Sequence, residues 1–341
     1  MILITGGAGY IGAHVALELM NKDEDVLILD NLCNSRRSAI DRISTLAGRR
    51  PGFVQGDVRN RHLLDTLLRD YPVDAVVHCA GLKAVGESVH EPLRYYDNNV
   101  GGSLTLCQAM AQAGVFTLVF SSSATVYGDC TTMPINESCA TGQPTNPYGM
   151  SKLMAENIMK SVASSDPRWS IGLLRYFNPI GAHPSGLLGE APLNQPNNLL
   201  PYLLQVASGQ REALSVFGTD YATPDGTGVR DYIHIVDLAQ GHTCALEALG
   251  QRSGVNIWNL GTGRGYSVLE LVSAFERVSG VPIPLAFKAR RPGDVTCCWA
   301  DPQKAADELA WRARHSLETM LADAWRWQCN QLQTEWVQQA N

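Results

Sequence analysis

The stretch Thr5-Gly6-Gly7-Ala8-Gly9-Tyr10-Ile11-Gly12 limits what this chain can fold into more than any other. A short apolar run, Met1–Thr5, precedes it, and a helical pattern, Tyr10–Met20, follows. Gly7, Gly9 and Gly12 satisfy G-x-G-x-x-G, while Gly6, Gly9 and Gly12 satisfy G-x-x-G-x-x-G. Glycine at these places permits a tight turn, backbone approach to a pyrophosphate and close packing of helix on strand. The pyrophosphate then meets the free N–H groups and positive end of the helix. Glycines alone make turns, so the loop gains its weight from its flanks and from Asp30, which ends the second apolar run. A carboxylate there suits ribose hydroxyls and repels a 2′-phosphate, which favours NAD over NADP. Arg36 and Arg37 lie nearby and read as a solvated loop.

Further strands are expected at Val26–Asp30, Phe53–Gln55, Ala75–Cys79, Leu118–Ser121 and Ile171–Tyr176, each a short apolar, β-branched run. Helices are expected at His62–Asp70, Val100–Ala113 and Tyr148–Ala163. This alternation predicts an α/β fold with a Rossmann-type, doubly wound parallel sheet, whose ligands sit beyond the carboxyl ends of the strands. Near Asn178 the composition turns to Pro, Gly and Asn, marking a boundary or a substrate-covering loop. Short strands follow at Ser215–Gly218 and Asn256–Leu260. The expected division is an NAD-binding domain over residues 1–177, completed by segments near 235–262, and a smaller α/β substrate-binding domain over 178–341.

The net charge of -6 provides no basic field for a nucleic acid backbone. No apolar run reaches the 18 or so residues that span a bilayer, so no membrane partner is expected. Nine cysteines without C-x-x-C spacing read as reduced thiols rather than a disulfide framework or zinc site. With no signal peptide pattern at Met1–Thr5, a soluble cytoplasmic protein is expected.

Tyr148-Gly149-Met150-Ser151-Lys152 puts a phenol and an ammonium at i and i+4, on one helix face. A tyrosine with an ordinary pKa of about 10 is a poor base, but a neighbouring cation stabilises its phenolate. Tyr148 could then move the proton of a substrate hydroxyl while hydride moves to or from a nicotinamide. Ser121-Ser122-Ser123 follows the fifth strand, and Ser123 is the hydroxyl best placed to bridge substrate oxygen and Tyr148. The expected catalytic set is therefore Tyr148, Lys152 and Ser123.

Together these features resemble the extended short-chain dehydrogenase/reductase family, and the finer strings resemble its UDP-hexose 4-epimerase branch. The matching strings are TGGAGYIG from Thr5, LDNLCNS from Leu29, HCAGLKAVGESV from His78 and YYDNNVGG from Tyr95. FSSSATVYGD from Phe120, NPYGMSK from Asn146 and LLRYFNPIGAHPSG from Leu173 continue the match. PNNLLPY from Pro196, FGTDYATPDGTGVRDYIH from Phe217 and RRPGDV from Arg290 extend it almost to the end.

The resemblance implies Gly6, Gly9, Tyr10 and Ile11 at the NAD pyrophosphate, and Asp30, Asn31, Asn34 and Ser35 around the adenosine ribose. It places Asp57 and Val58 at adenine and Lys83 at the phosphates. Asn98, Ser121, Tyr148, Lys152 and Phe177 would line the nicotinamide end. The UDP-sugar substrate would meet Asn178, Asn198, Leu199, Arg230, Arg291 and Asp294, with Ser123 and Tyr148 at the sugar; arginine forks suit a diphosphate. The implied activity is reversible C4 epimerisation of UDP-glucose and UDP-galactose through a 4-keto sugar, with NAD tightly bound and reused. A homodimer through helices Val100–Ala113 and Tyr148–Ala163 is likewise implied.

Cys298 falls where the family sets substrate range, beside the sugar 2-substituent; a small side chain there leaves room for an acetamido group. UDP-GlcNAc and UDP-GalNAc are therefore expected as substrates too. Cys79 stands where the family often has Phe, with no function attached. The nearest rival, a sugar-nucleotide 4,6-dehydratase, typically carries an Asp-Glu pair where this chain has Ala124-Thr125. A non-catalytic NAD sensor would have no use for Tyr148, Lys152 and the arginines together, and Asp30 opposes an NADPH-dependent reductase.

Overall fold

The computed structural model describes residues 1–193, 196, 198–291 and 293–339. Asn197 of the PNNLLPY string, Pro292 of RRPGDV and the last two residues of the 178–341 region lie outside the described residues.

The first half alternates strand and helix as β1 (Ile2–Thr5), α1 (Tyr10–Asn21), β2 (Val26–Asp30), α2 (Ser38–Ala47), β3 (Gly52–Gln55), α3 (Arg61–Asp70) and β4 (Ala75–His78). Two short helices, α4 (Val85–His90) and α5 (Pro92–Tyr95), lead through a π-helical turn at Tyr96–Gly101 into α6 (Gly102–Ala113). Then come β5 (Thr117–Ser123), a 3-10 turn at Ala124–Tyr127, α7 (Pro147–Ser165) and β6 (Ser170–Tyr176). Most boundaries lie within a residue or two of the sequence reading, and two of the differences bear on the site. The three serines do not follow the fifth strand but are its last residues, because their hydroxyls find buried partners. The helix expected from Val100 is π-helical up to Gly101, and this wider turn carries Asn98 and Asn99 inward.

The second half holds β7 (Asn178–Ile180), α8 (Leu199–Ala207), β8 (Leu214–Phe217), β9 (Val229–His234), α9 (Ile235–Leu249) and β10 (Gly254–Leu260). It ends with β11 (Gly265–Ser267), α10 (Val268–Ser279), β12 (Leu285–Lys288), β13 (Cys297–Cys298), α11 (Gln303–Leu309) and α12 (Leu317–Gln339).

Seven strands form one parallel sheet in the order β10-β6-β5-β4-β1-β2-β3. Successive side chains alternate faces. Ile2 and Ile4 join the core under α1, α2 and α9, while Leu3 joins the core under α3, α6 and α7. Both faces are covered, which is why the strands read as continuous apolar runs. The winding reverses between β1 and β4, opening a crevice above their carboxyl ends where ligands bind in such sheets. β10 adds the outer strand beside β6, and α9 packs on α1.

Around β9 a smaller sheet gathers β7, β11 and β13, and β8 pairs with β12. A third core joins these strands to α8, α10 and α12. Among the described residues, no helix is long and apolar enough to cross a membrane, and no cluster of His, Cys, Asp and Glu could hold a metal.

Candidate active site

A cleft of about 500 Å³ opens at the switch between β1 and β4. Its floor is the glycine loop. Gly6 has φ +71, and a Cβ there would fall 2.7 Å from the Ala80 nitrogen. A Cβ on Gly12 would fall 2.3 Å from the Gly6 oxygen, so only glycine lets helix, turn and the strand-β4 loop meet this closely. Gly9 caps the start of α1 with extended backbone, leaving the first turn's N–H groups directed into the cleft. This backbone cradle and volume suit the diphosphate of a dinucleotide.

The walls collect most of the expected cofactor residues: Tyr10 and Ile11 beside the loop, Asp30, Asn31, Asn34 and Ser35 after β2, Val58 after β3, then Lys83 and Asn98. Asp30 is buried and organises its side of the cleft. Its Oδ2 accepts from the Ala8 nitrogen at 3.0 Å, and Oδ1 accepts from the Leu32 nitrogen and Ser35 Oγ, both at 2.8 Å. Asp57 does not line the cleft; it turns onto Arg59, 2.8 Å away, and Asn31, 3.0 Å away. Hydrogen bonding from Arg59 holds its carboxyl well below the usual range.

At the far end of β5 the catalytic candidates converge. Asn146 accepts from the Gly149 nitrogen at 2.9 Å and Pro147 occupies the first turn, which starts α7 just before Tyr148. Tyr148 is buried, with Ser123 close to its hydroxyl. One turn on, Lys152 donates from Nζ to the Ser121 carbonyl at 2.8 Å. Burial raises the Tyr148 hydroxyl above its usual range, and the Ser123 contact opposes that rise. Burial also pushes the Lys152 ammonium down to about 8. Phe177 lies in the apolar cluster beneath this site.

Ser121 Oγ contacts Cys79 Sγ at 3.2 Å and His242 Nε2 at 3.1 Å. Cys79 thus lines the inner end of the cleft. Ser122 donates to Glu156 Oε1 at 2.6 Å, and Glu156 is gripped by Arg175 through two bonds of 2.9 and 2.6 Å. This buried ion pair ties α7 to β5 and β6. Sequence reading gave no sign of it, because a lone Glu and a lone Arg in apolar runs carry no spacing signal.

The expected substrate residues gather on the smaller sheet and its loops. Asn178 begins β7, while Asn198 and Leu199 begin α8. Arg230 pairs with Asp294, and β13 sets Cys298 opposite Arg230 in register. Arg291 stacks its guanidinium 3.8 Å from the centre of the Phe217 ring. Cys298 borders the cluster holding Phe177, and burial pushes its thiol up to about 12. Tyr221, with its hydroxyl buried and unpaired, sits beside Arg290 at 4.1 Å from ring centre to guanidinium; the sequence had not singled it out.

Residues 2–261 match the model of the NAD dependent epimerase/dehydratase family. The chain belongs to this family. It is 54% identical over 327 residues to a UDP-glucose 4-epimerase of Yersinia pestis, covering 96% of this chain and 97% of the relative. Among solved structures, UDP-glucose 4-epimerase from Bifidobacterium longum in complex with NAD+ and UDP is 50% identical, with a TM-score of 0.94 over 96% of this chain and 98% of that one. The enzyme from Stenotrophomonas maltophila, with bound NAD and formylated UDP-arabinopyranose, is 48% identical with a TM-score of 0.95 over 98% and 99%. The family resemblance read from the motif strings is borne out, as are the doubly wound parallel sheet and the dependence on NAD. The glycine cradle and Asp30 fit that cofactor.

Proposed function

We propose that this chain is an isomerase that interconverts the C4 epimers of UDP-hexoses. The observation carrying this reading is the meeting of Tyr148, Ser123 and Lys152 at the end of β5, where the cleft meets the smaller sheet. High identity to several UDP-glucose 4-epimerases supports it.

NAD, when bound, supplies reversible hydride transfer at the sugar carbon. Tyr148 takes the proton of the 4-hydroxyl and later returns it, with Ser123 sharing the hydrogen bond. The Lys152 ammonium stabilises the phenolate that makes Tyr148 a base. Residues 1–177, with the 235–262 segments, hold the cofactor: Gly6, Gly9, Tyr10 and Ile11 at the diphosphate, Asp30 and its neighbours at the ribose. The remaining region holds the UDP, with Arg230 and Arg291 facing its diphosphate and Asp294 its ribose. Because both epimers are held by the UDP portion, the oxidised sugar is free to turn and present its other face. Cys298 leaves space for a 2-acetamido group, so the N-acetyl pair belongs among the substrates.

A second copy of the chain fits against α6 and α7, where Leu104 and Met154 stand 42% and 40% exposed. All nine cysteines are free, which supports a reducing, cytoplasmic setting. The test is proton NMR with UDP-galactose and, separately, UDP-GalNAc, adding no NAD. Conversion of both is expected. Conversion of UDP-galactose alone removes the wide pocket, a 6-deoxy-4-keto product favours a dehydratase, and no turnover even with NAD overturns the reading.

A further inference from the structure

The cofactor cleft has walls from both halves of the molecule. The sheet loops form one; Leu188–Pro192 and the α12 residues Trp327, Gln328, Gln331 and Leu332 form the other. We propose that this second wall is a clasp that retains the dinucleotide, fastened by Lys83 to Glu190 and by Arg42 to Trp327 and Gln331. The proposal rests on the reading of the cleft as the NAD site.

The wall is built as one piece. A Cβ on Gly189 would fall 2.6 Å from the Trp327 ring, so the segment lies flat on the indole. Trp327 Nε1 donates to the Glu190 carbonyl at 3.2 Å, and Arg326 Nη1 donates to the Pro184 carbonyl at 2.8 Å. α12 therefore carries the segment along its length.

Its attachments to the opposite wall are of another kind. Lys83 Nζ lies 2.5 Å from Glu190 Oε1, with the lysine 42% and the glutamate 13% exposed. Arg42, on α2, holds its guanidinium 4.7 Å from the centre of the Trp327 ring and donates to Gln331 Oε1 at 2.9 Å. Tyr10 donates from its hydroxyl to the Gly181 carbonyl at 2.8 Å, pinning the root of the segment. One apolar attachment exists, since Leu188 of the second wall is buried in the core shared with α1 and α2; the attachments through Lys83, Arg42 and Tyr10 differ in kind. Each of these three is a polar or cation–π contact that can break and re-form singly, unlike a close-packed core. An ammonium has three donors, so Lys83 can hold Glu190 while also meeting a phosphate.

The test follows release of NAD from the purified, loaded protein. Mixing with excess isotopically labelled NAD and quenching at intervals lets mass spectrometry count the unlabelled cofactor still bound. Glu190→Gln and Arg42→Met are each expected to speed release by roughly five- to tenfold, and together by about the product. About 0.5 M salt is expected to speed release from the wild type more than from Glu190→Gln, because the Lys83–Glu190 ion pair is there to be screened only in the wild type. The cofactor-free thermal midpoint of each variant is measured alongside; a midpoint near wild type shows that faster release is not loss of fold. Release from the double variant at the wild-type rate overturns the clasp alone. So does acceleration seen only where the fold itself collapses, and Glu190→Asp, which keeps the charge, should then show no rescue. A wild type that purifies without NAD overturns both the clasp and the resident cofactor.

Discussion

Lys152 on α7 donates to the backbone carbonyl of Ser121 on β5 at 2.8 Å, so the proposed cation is fixed by the strand that ends in Ser123. With burial holding its ammonium at about 8, the charged form is lost as pH rises through that value. The proposed mechanism needs the charged form, so turnover should fall above pH 8. Lys152→Met should lower kcat by about 10²–10⁴-fold, the usual contribution of a proton-transfer group, and should abolish this alkaline limb. A pH–rate series on both proteins checks it; an unchanged limb in the variant would assign the titration elsewhere.

Cys298 gives a substrate prediction. Filling its place with Cys298→Tyr should remove most activity on UDP-GalNAc while sparing that on UDP-galactose. Discrimination by a steric pocket of this size is worth about 10–200-fold. Equal loss of both activities would show that the side chain packs rather than gates.

The Glu156–Arg175 pair is almost wholly buried, at 0% and 2% exposure. Arg175→Met leaves the buried Glu156 carboxylate to Ser122 and the part-exposed Lys160, 3.2 Å away, and should destabilise the fold by up to about 3–5 kcal/mol. Adding Glu156→Leu should recover most of that loss. Urea denaturation of the single and double variants measures both numbers.

The site was unevenly legible in the sequence. The glycine loop, Asp30 and the Tyr148–Lys152 pair announced themselves because their chemistry depends on spacing within one turn or helix. Ser121 to Ser123 misled the strand boundary: hydroxyls at a buried strand end read as loop until Glu156 and His242 are seen to receive them. Glu190, Arg42 and Trp327 gave no signal, because their meeting depends on α12 returning to the first half of the chain.

Buried neutral histidines set the acid response. Burial pushes His14 and His78 down to about 3 and His242 to about 4. Above pH 6.5 they are neutral whether folded or unfolded and stability is unaffected. As pH falls from 6.5 towards these values only the unfolded chain takes up the protons, and each histidine removes up to about 1.4 kcal/mol per pH unit. Urea midpoints should therefore hold between pH 6.5 and about 8, where Lys152 begins to titrate, and drop steadily below 6.5. His242→Gln should flatten the drop.

The proposed dimer face is tested by charge. Leu104→Glu with Met154→Glu should shift the sedimentation coefficient from that of a dimer to that of a monomer. An unchanged coefficient would place the contact between copies elsewhere.

The outer strand of the large sheet, β10, is made only after the chain has passed through β9 and α9. A ribosome that has completed β6 has therefore not completed the sheet: β6 still shows a bare edge, and the α1 face waits for α9. The two halves cannot mature in sequence like beads on a string. Exchanging the region after residue 177 with that of a relative would take several splice points, since a single cut there leaves neither piece whole.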